Sequence, residues 1–178
     1  TPNCSSAASD VYKRQEIKID LNKLGFKNKN TLLISAAGTS YYAAMVGKYW
    51  IEQLADLPVI IDLASEYRYR RPSVFGQSSM LVISQSGESL DTLMALRHGK
   101  EIGLNTNEIV NVEGSKIDSE VDYTLYTRVG AEIGVASTKS FTSQLVILFL
   151  IAVALAKKFN DVTAEEIQKI CFNIQALP

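Results

Sequence analysis

The chain has 178 residues, 47% of them hydrophobic and 21% charged, with a formal net charge of −1. That length suits one domain with a sizeable core, and the near-neutral balance excludes the basic surface that nucleic acid or anionic lipid requires. Two cysteines, Cys4 and Cys171, and a single histidine, His98, exclude a disulfide framework and a multi-histidine metal site within the chain.

Taken in order, residues 1–15 (TPNCSSAASDVYKRQ) carry no apolar periodicity. Their last six residues match the translation of a transposon-end sequencing adapter, so 1–15 is expected to be a non-native leader; an ordinary disordered leader is the alternative. No signal peptide is visible, and a reducing cytoplasm is the expected setting. Residues 16–178 read as a single domain without repeat, linker or low-complexity tract.

Strand-like and helix-like segments then alternate. Residues 31–35 (TLLIS) read as a strand and 41–54 as a helix with Ser40 at its N-cap. Residues 59–63 form a short β-branched strand, and 65–70 a brief polar helix ended by Arg71 and Pro72. A third strand is expected at 80–84 and a helix at 88–102, closed by Gly103. A fourth strand at 108–112, a helical turn at 114–120 and a fifth strand at 123–127 follow. The long apolar stretch 137–158 reads as a helix whose longest apolar run, 145–156, is too short to span a bilayer and suits a buried core. A last helix at 163–175 opens with Thr163 and Glu166 as a capping box. Five strands alternating with helices call for an α/β fold, a parallel sheet covered on both faces.

Two stretches stand out: SAAGTS at 35–40 and SQSGES at 84–89, each after an apolar strand and before a helix. Glycine there permits close backbone approach, first-turn N–H groups point outward, and hydroxyls add donors, which together suit an anion. Neither stretch is a Walker loop or a GxGxxG turn, so the expected ligand is a phosphate on a small molecule. The candidate contacts are Thr39, Ser40, Ser84, Gln85, Ser86 and Ser89, with Gly38 and Gly87 as loop glycines. Each hydroxyl can alternatively serve as a cap or turn former. Ligands of such sheets sit outside the carboxyl ends of the strands. There a third stretch, EIGVASTKS at 132–140, is expected to complete a pocket.

Other residues invite weaker readings. Asp91 and Glu88 would repel an anion and are left unassigned, while Lys139 could meet a ligand or sit on the surface. His98 reads as a surface histidine. The cluster Tyr67, Arg68, Tyr69, Arg70 and Arg71 resembles an acid-binding patch but reads better as solvated or interface surface. No nucleophile–base pair, paired carboxylates or metal triad is evident, so the chain shows a binding rim without acid–base machinery.

The segments AAGTSYYAAMVGKYWIEQLADLPV, IDLASEYRYR, ISQSGESLDTLMALRHGKEIG and AEIGVASTKSFTSQL closely resemble the isomerising glutamine:fructose-6-phosphate amidotransferases, over nearly all of residues 31–178. The resemblance implies the first of two SIS subdomains of the isomerase half, with a three-layer αβα arrangement. It places sugar-phosphate contacts on Thr39, Ser40, Ser84, Gln85, Ser86 and Ser89, the last often threonine in that family. It places sugar contacts on Val135, with Ser137 nearby. Ala37 stands where the family often has cysteine. No catalytic residue, cofactor or metal is implied within 1–178. The glutaminase domain and the second SIS subdomain, which holds the ring-opening and isomerising groups, are expected as partners outside this stretch, in a homodimeric cytoplasmic enzyme of amino-sugar biosynthesis. A sugar-phosphate-sensing SIS regulator and a stand-alone SIS isomerase are the alternatives.

Overall fold

The computed structural model describes residues 19–69, 78–130 and 138–160, together with 163, 165, 166 and 169. The proposed leader at 1–15 lies outside the described residues. Continuous apolar runs, the pattern of strands covered on both faces, form β1 (Leu32–Ala36) and β3 (Ser79–Ile83), every residue of which is buried. With β2 (Val59–Leu63), β4 (Asn105–Val110) and β5 (Tyr123–Tyr126) they make a five-stranded, all-parallel sheet in the order β2-β1-β3-β4-β5.

Alternation along the strands builds two cores. Leu32, Ile34, Ala36, Leu81, Ile83, Ile109 and Leu125 face α1 (Gly38–Ala55) and α4 (Lys139–Phe159), which bring Ala43, Ala44, Ile51, Ile147, Leu148 and Ile151. On the other face Leu33, Met80 and Val82 meet α2 (Ala64–Tyr67) and α3 (Leu90–Glu101) through Ala64, Tyr67, Leu93, Ala95 and Leu96. The three-layer αβα reading is therefore what the chain adopts. By length and composition alone α4 could cross a membrane, but its Ile147, Leu148, Ile151, Ala152 and Leu155 face is fully packed within the first core.

Three expectations need correction. The fourth strand begins at Asn105, three residues before the expected start, because Thr106 and the amide nitrogen of Asn107 find hydrogen-bond partners inside the fold. The Asn107 amide donates to Ser79 Oγ (2.9 Å) and to the Met80 carbonyl (3.1 Å). Tyr67 is fully buried, not surface: the single turn of α2 sets it on the same face as Ala64, three residues earlier. Its ring meets His98 edge-on at 5.3 Å, so His98 is half-buried between helices instead of solvated. Arg68 lies 3.8 Å from Asp91, and Arg70 and Arg71 lie outside the described residues. In the C-terminal region the capping box is formed: the Thr163 N–H donates to Glu166 Oε2 (2.9 Å) and the Glu166 N–H to Thr163 Oγ1 (3.2 Å).

Candidate functional site

Strands β1 and β3 are neighbours, with Ala36 and Ile83 as register partners at their carboxyl ends. From β1 the chain moves outward to β2, and from β3 outward the other way to β4. The strand order reverses between them, which makes this edge the topological switch point of a doubly wound sheet, where such folds open a ligand crevice. Both serine–glycine loops leave from it.

The first loop is short. Ala37 is extended (φ −131°, ψ 159°) and Gly38 turns the chain with φ +57°, so α1 starts at Gly38. Ser40 was expected at the N-cap, but the left-handed glycine lets the helix begin sooner. Ser40 therefore sits buried in the first turn, beside exposed Thr39. No side chain caps α1, so its first-turn N–H groups are directed out of the strand end.

The second loop is folded on itself. The Gly87 N–H donates to Ser84 Oγ (2.9 Å) and the Glu88 N–H to Ser86 Oγ (3.2 Å). Ser84 is buried and its N–H reaches the Ile109 carbonyl of β4 (3.0 Å). Gln85 and Ser86 are half-buried, and Ser89 is the N-cap of α3, its Oγ accepting from the Thr92 hydroxyl (3.1 Å). The structure thus brings Gly38, Thr39, Ser40, Ser84, Gln85, Ser86, Gly87 and Ser89 to one edge. Val135 and Ser137, with the rest of the third loop to 137, lie outside the described residues. Lys139, at the start of α4, is exposed.

Glu88, ambiguous from sequence, turns away toward the β4–β5 connection: its Oε1 accepts from the Lys116 N–H (3.0 Å) and its Oε2 lies 3.5 Å from Lys116 Nζ. Asp91 is likewise occupied, by Arg68. Neither carboxylate is free to oppose an anion at the loops.

Three groups escaped sequence reasoning. Glu108 points from the middle of β4 into the interior, fully buried, with neither carboxyl oxygen hydrogen-bonded. Burial, helped by the charge of Asp118, pushes its carboxyl up to about 8, so it is neutral below that pH. Burial also works to raise Asp118, but hydrogen bonds from the Thr124 hydroxyl, the Gly114 N–H and the Tyr126 hydroxyl outweigh it and hold that carboxyl below its ordinary value. Tyr126 is pushed up to about 12, by burial first and then by its bond to Asp118. The readable signal for Glu108 was an acid inside an apolar strand (EIVNV). Asp118 gave none. Among the described residues no group of three or more His, Cys, Asp or Glu could hold a metal ion.

A 2-1-3-4-5 parallel sheet with helices on both faces and hydroxyl-rich loops at its switch point defines a doubly wound α/β domain. The family described as the SIS domain matches residues 25–154, and the chain belongs to that family. It is 43% identical over 173 residues to the glutamine–fructose-6-phosphate aminotransferase (isomerizing) of Clostridium acetobutylicum, covering 96% of this chain and 28% of that protein. It is 49% identical over 156 residues to the enzyme so named from Neisseria meningitidis, covering 86% of this chain and 25% of that protein. Among solved structures, the C-terminal domain of glucosamine-fructose-6-phosphate aminotransferase from Francisella tularensis superimposes with a TM-score of 0.86 at 40% identity, over 98% of this chain and 51% of that one. The chain therefore spans about a quarter of the length of the curated relatives it matches.

Proposed function

We propose that this chain is the phosphate-gripping SIS subdomain of an isomerising glutamine–fructose-6-phosphate aminotransferase. The observation that carries the reading is the pairing of two hydroxyl-rich loops on adjacent, in-register strand ends at the switch point. The relatives named for this activity, at 43% and 49% identity, supply the substrate class.

In this reading Thr39 and Ser40 with the N-terminus of α1, and Ser84, Gln85, Ser86 and Ser89 with the N-terminus of α3, surround the phosphate with neutral donors. Neutral donors and helix dipoles bind a dianion without needing a lysine or arginine at the loops. Gly38 and Gly87 let the backbone approach. Val135 and Ser137 would touch the sugar. The whole enzyme would move the amide nitrogen of glutamine to fructose-6-phosphate and isomerise the product to glucosamine-6-phosphate in the cytoplasm, as a homodimer. The ammonia-releasing and acid–base groups would come from regions outside residues 1–178, so this stretch alone is expected to bind without turnover.

Calorimetric titration of the 178-residue chain with fructose-6-phosphate and, separately, with fructose tests the reading. Binding of the phosphorylated sugar only is the expected result, and equal affinity for both refutes the phosphate assignment.

A further inference from the structure

The loop at 84–89 is held only in part by its own residues. The hydroxyl oxygens of Ser84 and Ser86 accept N–H groups within the loop, which leaves their O–H groups to donate elsewhere. Apart from the Ser84 link to β4, its further described hydrogen bonds outside the loop and α3 come from the connection between β4 and β5, residues 111–120. The Asn111 N–H donates to the Gln85 carbonyl (3.1 Å), the Ile117 N–H to the Gly87 carbonyl (3.1 Å) and the Lys116 N–H to Glu88 Oε1 (3.0 Å). Buried Ser115 presses on Gly87 so closely that a Cβ there would lie 1.9 Å from Ser115 Oγ and 2.5 Å from Ser115 Cβ.

This strap is itself gathered on one carboxylate. Asp118 Oδ2 accepts from the Gly114 N–H (2.7 Å), Oδ1 from the Thr124 hydroxyl (2.7 Å), and both oxygens lie within bonding distance of the Tyr126 hydroxyl (2.9 and 2.8 Å). The Asp118 N–H returns to Ser115 Oγ (3.3 Å). At the far end Arg97 of α3 grips Glu120 with two bonds of 2.9 and 2.6 Å.

We propose that Asp118 is a positioning residue for the phosphate loop: it pins the strap to β5, and the strap, through Ser115, Lys116 and Ile117, fixes the backbone around Gly87. The inference rests on the reading of residues 84–89 as a phosphate site. Its physical content is preorganisation. A loop already set in the binding geometry loses little freedom when the anion arrives, whereas a released loop must be ordered at the expense of affinity.

The test uses the 178-residue chain and Asp118→Asn, with hydrogen exchange read at individual amides and titration with inorganic phosphate and fructose-6-phosphate. Faster exchange confined to Gly87, Glu88, Ile117 and their neighbours is expected, with both ligands weakened by the same factor of about ten. Tyr126→Phe, which removes one donor to Asp118, gives the same pattern at smaller size should the first variant fold poorly. Gly87→Ala weakens binding further, and adding Ser115→Gly recovers part of that loss, the coupling expected of groups in contact. Unchanged exchange and affinity in both Asp118→Asn and Tyr126→Phe overturn the proposal, as does exchange that rises evenly across the core. If wild type binds neither phosphate nor the sugar phosphate, the site reading fails, and the exchange pattern still decides for or against the strap.

Discussion

Gly38 and Gly87 occupy matching places, each in a strand-to-helix turn with positive φ, +57° and +68°. Around the first there is open space; around the second stand Ser115 and Val110. The first loop is a bare helix N-terminus, shaped by its own few residues. The second is a longer excursion whose backbone is fixed by a distant segment. Similar sequences at equivalent strand ends are therefore held in two ways, one local and one tertiary, and disturbances of the tertiary frame should reach only the second loop.

The largest expected effect concerns that frame and its pH dependence. Unfolded, the Glu108 carboxyl loses its proton near the ordinary 4.5; folded, it keeps it to about 8. Between those values the folded chain binds the extra proton, so stability falls as pH rises through the window and levels off above it. The decline attributable to Glu108 is of order 4 kcal/mol. Asp118 acts with the opposite sign: its folded value lies below 3.8, so its contribution is present above that pH and is lost in acid. Urea melts from pH 5 to pH 8.5 should show the decline in wild type and a much flatter profile in Glu108→Gln. Parallel profiles would remove Glu108 from the account.

Next comes the direct contrast at the second glycine. Gly87→Ala forces an alanine into left-handed backbone and against Ser115, for a combined loss of roughly 2–5 kcal/mol. Chemical denaturation measures it, and a loss under about 1 kcal/mol would mean that the strap moves aside freely.

Smaller again are the hydroxyls. Ser40→Ala and Ser86→Ala should each weaken fructose-6-phosphate by roughly 1.5–3 kcal/mol, one to two decades in affinity. They should differ in a second respect. Ser86 Oγ also accepts the Glu88 N–H, so its removal loosens the loop and speeds exchange at Glu88, whereas Ser40→Ala leaves loop exchange unchanged. Equal exchange in the two variants would mean that the Ser86–Glu88 bond adds nothing to what the strap already does for the second loop.

The same distinction explains what could be read in advance. Alternating apolar runs revealed five strands and their helices, because burial on both faces writes itself directly into β1 and β3. The two serine–glycine loops were legible for a similar reason, since glycine and hydroxyls at a strand-to-helix turn are a local pattern. Asn105 to Asn107 read as loop because three polar residues seldom announce a buried strand. Only the fold shows the Asn107 amide meeting Ser79 and the Met80 carbonyl. Ser115 and Asp118 were invisible as site residues, because Ser115 acts by contact with a loop some thirty residues earlier in the chain and Asp118 acts only through the strap that carries Ser115. Tyr67 misled through its company: four neighbours that are charged or exposed disguised a core residue.

The smallest effect is the one that isolates the first loop. Gly38→Ala places alanine at φ +57°, which strains the backbone, but a Cβ there meets nothing within 4 Å. The cost should be that of the left-handed conformation alone, about 1 kcal/mol, in part offset by the lower chain entropy of alanine in the unfolded state. Because no strap leans on this turn, the loss should not change when Ser115→Gly or Asp118→Asn is added. The energies of Gly38→Ala and either strap variant should sum within about 0.5 kcal/mol, as they do for independent sites. The matching cycle at Gly87 should be strongly non-additive with Ser115→Gly. Denaturation of the four single and three double variants under one buffer decides the matter. Additivity at Gly38 with coupling at Gly87 keeps the two loops mechanically separate. Coupling at Gly38 of the same size would mean that strain in either loop is shared across the switch point, and that the pair of loops responds as one unit.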